Sequence, residues 1–275
     1  MSYRPWQSLE VCLFFDKFLS GVAVSLTRLA QAKKPDLIVF THIPKTGGGS
    51  LTQIFRDNFP AEQIVDISQL KLREVPDSLA QSLLRQEIQR LDRSVRVIHG
   101  HVNFSYDVQR YLDRDCTSMT LLRDPVERVV SLYYFVRRLN NGNKIAAEIM
   151  QKNLSLNDFA LYETFQPMNN IQVRYLANSR GPDSNLQSCH RYLLEEAKAN
   201  LIDRFDMFGV TEDFGSFAMR VCKDFNLAYD PSHRLNSSGR PPLEEISTET
   251  LEKIRQRNAF DLELWEFAKK HLVAA

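Results

Sequence analysis

Residues 36–54 read DLIVFTHIPKTGGGSLTQI, and the order of features in this stretch decides the fold. Leu37, Ile38, Val39 and Phe40 form an apolar run of buried-strand character. From Ser50 to about Phe59 the pattern predicts a helix with Ser50 as its cap. Between the two stand Pro44, Lys45, Thr46 and three glycines, Gly47, Gly48 and Gly49. Strand, glycine-rich turn and helix is the layout of an anion cradle. Glycines let the backbone approach a phosphate, and a helix start offers unpaired N–H donors and the positive end of a dipole. The nucleotide-triphosphate version, GxxxxGK[ST], carries its lysine after the last glycine with a hydroxyl beside it for magnesium. Here Lys45 precedes the glycines, so the loop keeps the plan but not that motif.

The rest of the chain sets bounds on the reading. Its 275 residues allow one large α/β domain with a sizeable core. Hydrophobic residues at 43% and charged residues at 25% are ordinary globular composition. A net charge of +1 gives no global reason to bind nucleic acid, so an anion site must be a local concentration of basic groups. Cys12, Cys116, Cys189 and Cys222 are far apart and lack metal-ligand spacing. They read as free thiols, which favours a reducing compartment. The apolar run at 11–29 is broken by Asp16, Lys17 and Arg28, which makes it a poor transmembrane span. It is expected to be an amphipathic helix within an N-terminal extension, 1–35, ahead of a domain at 36–275.

Two further segments repeat the opening plan. Residues 95–98 are strand-like and run into His99, Gly100 and His101. In extended chain the two histidines point to one side, and Gly100 permits another group to approach closely. This lies beyond a strand C-terminus, where parallel α/β sheets keep their chemistry. Residues 119–122 form a second buried strand, followed by Arg123, Asp124 and a helix opened by Pro125 and running to about Leu139. Arg123 leaves the strand end and Ser131 lies on the helix; an arginine fork with a hydroxyl suits a terminal phosphate. Glu127 and Arg128 read as helix-surface or packing residues, Asp124 as the organiser of the elbow, and Arg137 and Arg138 as a solvated face.

Weaker signals fill in the remainder. Ile64, Val65, Asp66 and Ile67 read as a short strand, and 78–91 has a helical apolar period. Further helices are expected at 155–162, 168–177, 189–201, 214–225, 248–257 (capped by Ser247) and 259–272, with a last strand at 207–210. The helix carrying Asn169, Asn170, Gln172, Arg174 and Tyr175 either lines a cleft or faces solvent. Residues 231–242 form a long polar loop, uncommon unless it binds something. The whole predicts a single α/β domain, P-loop-like and three-layered, with a central parallel sheet of four or five strands flanked by helices.

Three of these segments together resemble one family. PKTGGGSL at 44–51 resembles the 5′-phosphosulfate loop of sulfotransferases that use 3′-phosphoadenosine 5′-phosphosulfate (PAPS), and RDPVERVVSLYY at 123–134 their 3′-phosphate segment. IHGHVNF at 98–104 is similar to the histidine motif of the uronosyl 2-O-sulfotransferases, which act on heparan sulfate. The resemblance implies PAPS as donor and 3′-phosphoadenosine 5′-phosphate (PAP) as product. Pro44, Lys45, Thr46, Gly47, Gly48, Gly49, Ser50 and Leu51 would cradle the 5′-phosphate, with Lys45 stabilising the leaving group. Arg123 and Ser131 would hold the 3′-phosphate, and Arg240, in the polar loop, would add a contact. His101 would be the general base, with His99 supporting it.

The same resemblance implies no metal. The His-x-His pair lacks a nearby cysteine or carboxylate pair to complete a ligand set. The expected acceptor is a hydroxyl, best matched by a glycan, with Arg174, Arg180 and Arg191 as candidate anion-facing charges. A lipid, polyketide or small alcohol stays open as acceptor, as does a P-loop kinase-like phosphotransferase as the alternative activity. No nucleic acid partner and no transmembrane segment are expected, a cytoplasmic address is preferred to the Golgi lumen, and homo-oligomerisation is open.

Overall fold

The computed structural model describes residues 36–72, 75–103, 107–139, 144–161, 169–177, 191–231 and 240–274. In chain order the elements are β1 (Ile38–Thr41), α1 (Gly48–Asn58), β2 (Ile64–Asp66), α2 (Asp77–Arg90), β3 (Val97–Gly100), β4 (Thr117–Leu122) and α3 (Pro125–Val136). Then come α4 (Lys144–Gln151), α5 (Leu156–Leu161), α6 (Ile171–Leu176), α7 (Arg191–Asp203), β5 (Met207–Val210), α8 (Phe214–Phe225), α9 (Thr248–Arg257) and α10 (Ala259–Ala274). The expected extension at 1–35, residues 140–143 and 178–190, with Arg180 and Cys189, Cys12, and residues 232–239 of the expected polar loop lie outside the described residues.

The five strands form one sheet in the order β2-β3-β1-β4-β5, every pair parallel. β1 is the middle strand, and Ile38, Val39 and Phe40 are all buried. A strand covered on both faces reads as a continuous apolar run rather than an alternation, and the sequence reading rested on that run. Alternation reappears in what each side chain meets. Ile38, Phe40, Val97, Met119, Leu121 and Met207 pack against α1 and α8, through Leu51, Ile54, Phe55, Phe217 and Val221. Leu37 and Ile98 pack on the other face with Ala80, Leu84 and Ile88 of α2. Leu122 and Val210 pack there against α6, α7 and α10. Burial of each large side chain contributes about 1.5–3 kcal/mol. The result is the expected three-layer α/β domain.

Register positions the site. Thr41 pairs with both Gly100 and Thr120, and Leu122 pairs with Val210. The segments that follow β1, β3, β4 and β5 therefore leave the sheet along one edge. A fourth apolar cluster is built from α3, α4, α5 and α9 and includes Val129, Val130, Ile149, Phe159 and Ile254. Among the described residues no helix is long and apolar enough to cross a membrane.

Candidate functional site

The loop from β1 to α1 is shaped by its own hydrogen bonds. Lys45 and Gly47 take left-handed backbone conformations, with φ of 69° and 89°. Gly47 caps α1, and its carbonyl accepts from the N–H groups of Ser50 and Leu51 at 3.1 and 3.3 Å. The cap thus lies three residues earlier than the sequence predicts. Ser50 is not the cap but a buried residue of the first turn; Gly47 takes the cap position, where glycine accepts the positive φ without strain. Thr46 is fully buried and its hydroxyl donates to Ile43 O at 2.9 Å. The Thr211 hydroxyl, just past β5, lies 2.7 Å from Thr46 O and 3.0 Å from Leu122 O, tying the loop to two strand ends. The N–H groups of Gly48 and Gly49 begin the helix, and α1 carries no acidic residue in its first turn. Leu51 is in the core beneath, and Pro44 is half-buried.

Lys45 reaches over α3, where its Nζ lies 3.9 Å from the ring centre of Phe135. Burial, then the charges of Arg123 and Arg138, hold its ammonium down to about 8. Arg123 follows β4, and the Gln172 side-chain amide clamps its backbone. Gln172 Oε1 accepts from Arg123 N at 2.9 Å, and Nε2 donates to Arg123 O at 2.8 Å. The guanidinium donates to Lys45 O at 3.2 Å and to Glu127 Oε2 at 3.0 Å. Arg240 Nη2 donates to the same Glu127 oxygen. Ser131, buried, lies one turn farther along α3. Asp124 caps α3 by accepting from Glu127 N at 2.9 Å, and Glu212 Oε1 accepts from Asp124 N at 2.9 Å.

Three readings of single residues change here. Glu127 is no mere surface residue: it is the carboxylate between two site arginines, a role its spacing of four from Arg123 hinted at. The polar helix α6 neither lines a cleft nor faces solvent, since Asn170, Gln172, Arg174 and Tyr175 are buried. Their polarity is internal bracing: Asp261 accepts from the N–H groups of Gln172 and Val173 at 3.1 and 2.9 Å, and the Arg174 Nε donates to Asn169 O at 3.0 Å. Arg191 is engaged with Glu263 at 3.2 Å. Arg128 is a packing residue as expected, fully buried; burial pushes its guanidinium down to about 10 while Asp261 opposes the shift.

The histidines come together with a third that the sequence reading missed. His99 is buried in β3 opposite Phe40, and burial holds its imidazole below the usual range, with Asp66 opposing. His101 is exposed, just past the strand, and its N–H donates to Ser68 Oγ at 2.8 Å. His42 follows β1; its ring stacks on Phe40 at 5.3 Å and lies 4.3 Å from the ring of His101. His101 Nδ1 is 2.8 Å from His42 O. A carbonyl only accepts, so the proton is on Nδ1, and in the neutral ring Nε2 carries the basic lone pair. Burial, then the charges of His101, His99 and Lys45, hold His42 down to about 2. Its ring fills the space beside Gly48, where an added Cβ would come within 2.0 Å of it. The signal for His42 was its position at a strand C-terminus, the argument that selected His99 and His101. Gly100 meets Ile67 and Ser68 as closely as its motif suggested.

Among the described residues no group of three or more His, Cys, Asp and Glu is arranged to hold a metal ion. Cys116 and Cys222 are free thiols, both pushed up to about 11 by burial.

Comparison with known proteins fits this arrangement. Residues 30–268 match the model of the sulfotransferase family. Heparan sulfate 2-O-sulfotransferase 1 of Xenopus laevis is 24% identical over 267 residues, covering 86% of this chain and 72% of the relative. Heparan-sulfate 6-O-sulfotransferase 2 of Gallus gallus is 26% identical over 275 residues, covering 86% and 67%. The crystal structure of mouse sulfotransferase SULT7A1 complexed with PAP aligns with a TM-score of 0.38 at 17% identity, over 72% of this chain and 60% of that one. The family match spans strand, anion loop, histidine segment and arginine elbow alike, and the chain belongs to the sulfotransferase family.

Proposed function

We propose that the protein moves a sulfuryl group from PAPS to a hydroxyl of a carbohydrate, with His101 as general base. One observation carries the reading. Arg123 Nη1 donates to the backbone carbonyl of Lys45, so the loop suited to a 5′-phosphate and the elbow suited to a 3′-phosphate are joined within one hydrogen bond. A donor nucleotide with phosphates at both positions matches that pair of sites. The carbohydrate acceptor is supported by the relatives, which are named for heparan sulfate. A cytoplasmic address is supported by the free thiols of Cys116 and Cys222.

In the reaction the acceptor oxygen forms a bond to sulfur as the bond from sulfur to the bridging oxygen of the donor breaks. The acceptor proton passes to His101 Nε2, and the electron pair of the broken bond stays on PAP. By analogy with phosphoryl transfer the transition state is loose, so positioning and electrostatics dominate. Lys45, protonated below about 8, meets the charge developing on the leaving phosphate. The N–H groups at the start of α1, with Thr46 and Ser50 beside them, take the 5′-phosphate. Arg123, Ser131 and Arg240 take the 3′-phosphate, and His99 supports His101 from within β3.

The test is calorimetric titration with PAP and, separately, with magnesium–ATP, on the protein and on folded Lys45→Ala and Arg123→Ala variants. Metal-free binding of PAP, weakened in both variants, is the expected result. Binding of magnesium–ATP alone overturns the reading in favour of a phosphotransferase. Sulfation assays with desulfated heparan oligosaccharides against small alcohols and lipids then test the acceptor class.

A further inference from the structure

Glu127 is a carboxylate whose chemistry runs against an anion-binding role, yet it lies between two arginines. It sits in the first turn of α3, where Asp124 caps the helix and accepts from Glu127 N. Its carboxylate is about one quarter exposed, and one oxygen, Oε2, accepts from two guanidinium groups. One is Arg123, four residues back. The other is Arg240, 113 residues away in sequence.

The two arginines are held differently. Arg123 is fixed at its backbone by Gln172 and at its side chain by Lys45 O as well as by Glu127. For Arg240, Glu127 is the side-chain partner among the described residues, and Arg240 Nη1 is buried there without an acceptor. Two guanidinium groups that converge on one point repel each other, and the carboxylate offsets that repulsion. Arg240 Nη1 remains a buried donor without an acceptor, which an anion with several oxygens would satisfy.

We infer that Glu127 is a positioning residue that draws Arg240 to the side of Arg123 and so sets the preference for a nucleotide bearing a 3′-phosphate. This rests on the donor-site reading above. It assigns to a carboxylate, rather than to a further cation, the task of building a two-arginine phosphate fork. A merely structural ion pair would change folding stability and affect all nucleotides alike. A positioning carboxylate changes the discrimination between nucleotides with and without the extra phosphate.

The experiment compares the affinities of PAP and AMP, which differ by that phosphate, in Glu127→Gln, Arg240→Gln, the double variant and Arg123→Ala. Thermal unfolding checks each fold. Expected are about ten- to hundredfold weaker PAP binding in Glu127→Gln with AMP within about twofold. Arg240→Gln should show the same selective loss, and the double variant should lose little more than either single one. Equal losses for PAP and AMP, tighter PAP binding in Glu127→Gln, or strictly additive losses each overturn the inference. An Arg240→Gln variant that keeps full PAP discrimination overturns it even where Glu127→Gln does not fold. If Arg123→Ala also leaves PAP binding unchanged, the donor-site reading itself has failed; if Arg123→Ala weakens PAP and the other two do not, only the role of Glu127 has.

Discussion

His101 donates its Nδ1 proton to the backbone carbonyl of His42, 2.8 Å away. The bond joins the segments that follow the two adjacent strands β1 and β3. Register puts them level, since Thr41 pairs with Gly100. Because the acceptor is main chain, the tautomer of His101 is set by the fold and not by another side chain. On the proposed mechanism, His101→Gln should remove the general base while leaving the nucleotide site intact. The expected outcome is a kcat about 10²–10⁴-fold lower with PAP affinity within about twofold, read by steady-state sulfation and calorimetry.

Gly48 and Gly49 should respond oppositely to the same change. A Cβ on Gly48 would overlap the His42 ring at 2.0 Å, whereas one on Gly49 meets nothing within 4 Å. Gly48→Ala is expected to displace His42, and His101 with it, and to lower kcat at least tenfold. Gly49→Ala should fold with a stability unchanged or raised by about 0.5–1 kcal/mol, since alanine loses less backbone freedom in a helix. Thermal melts and sulfation rates of the two variants check this; equal behaviour would contradict the placement of the His42 ring.

Gln172 supports Arg123 from behind. Gln172→Leu leaves a buried N–H and a buried carbonyl without partners, each worth about 1–3 kcal/mol when unmet. We expect about 2 kcal/mol lower stability in denaturant and weaker PAP binding. Unchanged PAP affinity would mean that the clamp serves the fold alone.

On the proposed reading, Lys45 gives the donor site a pH limit. Its ammonium loses its proton near 8 rather than at the ordinary 10.5. PAP binding should weaken as pH rises through 8, by up to about tenfold per unit. Lys45→Arg, charged throughout, should bind with no such fall. Stability has its own sign here. Between 8 and 10.5 the unfolded chain binds the extra proton, so this group's contribution to stability rises with pH across that window.

His42 works in the acid range. The fold holds it neutral down to about 2, against an ordinary 6.5, with His101, His99 and Lys45 facing it. The unfolded chain binds more protons below 6.5, so stability falls as pH drops from there. His99, also lowered, adds in the same direction. Each histidine contributes at most about 1.4 kcal/mol per pH unit. Denaturant unfolding at several pH values between about 7 and 5 should show the slope, and His42→Phe should reduce it.

Much of this was legible in the chain because local signals act over a few residues. The last strand, Met207–Val210, and the helices Phe214–Phe225 and Thr248–Arg257 lie where apolar period and the Ser247 cap put them. The Ser247 hydroxyl accepts from Thr250 N as a cap should. Pro125 opens its helix for the same kind of reason. The cap of α1 lies three residues before the expected Ser50, because a serine is a good cap in general while the turn that ends at Gly47 is fixed by the tertiary structure.

The sequence by itself determined the parallel α/β plan, the glycine turn after Lys45 and the elbow at Arg123, since each is written in glycine, proline, strand run and helix period. Tertiary structure alone decided that Glu127 faces Arg240, that Gln172 clamps Arg123 from 49 residues away, and that His42 meets His101 from 59. Those pairings depend on the level register of β1, β3 and β4 and on which face of α3 and α6 turns inward. No spacing along the chain encodes such contacts, because they arise only when the layers close on one another.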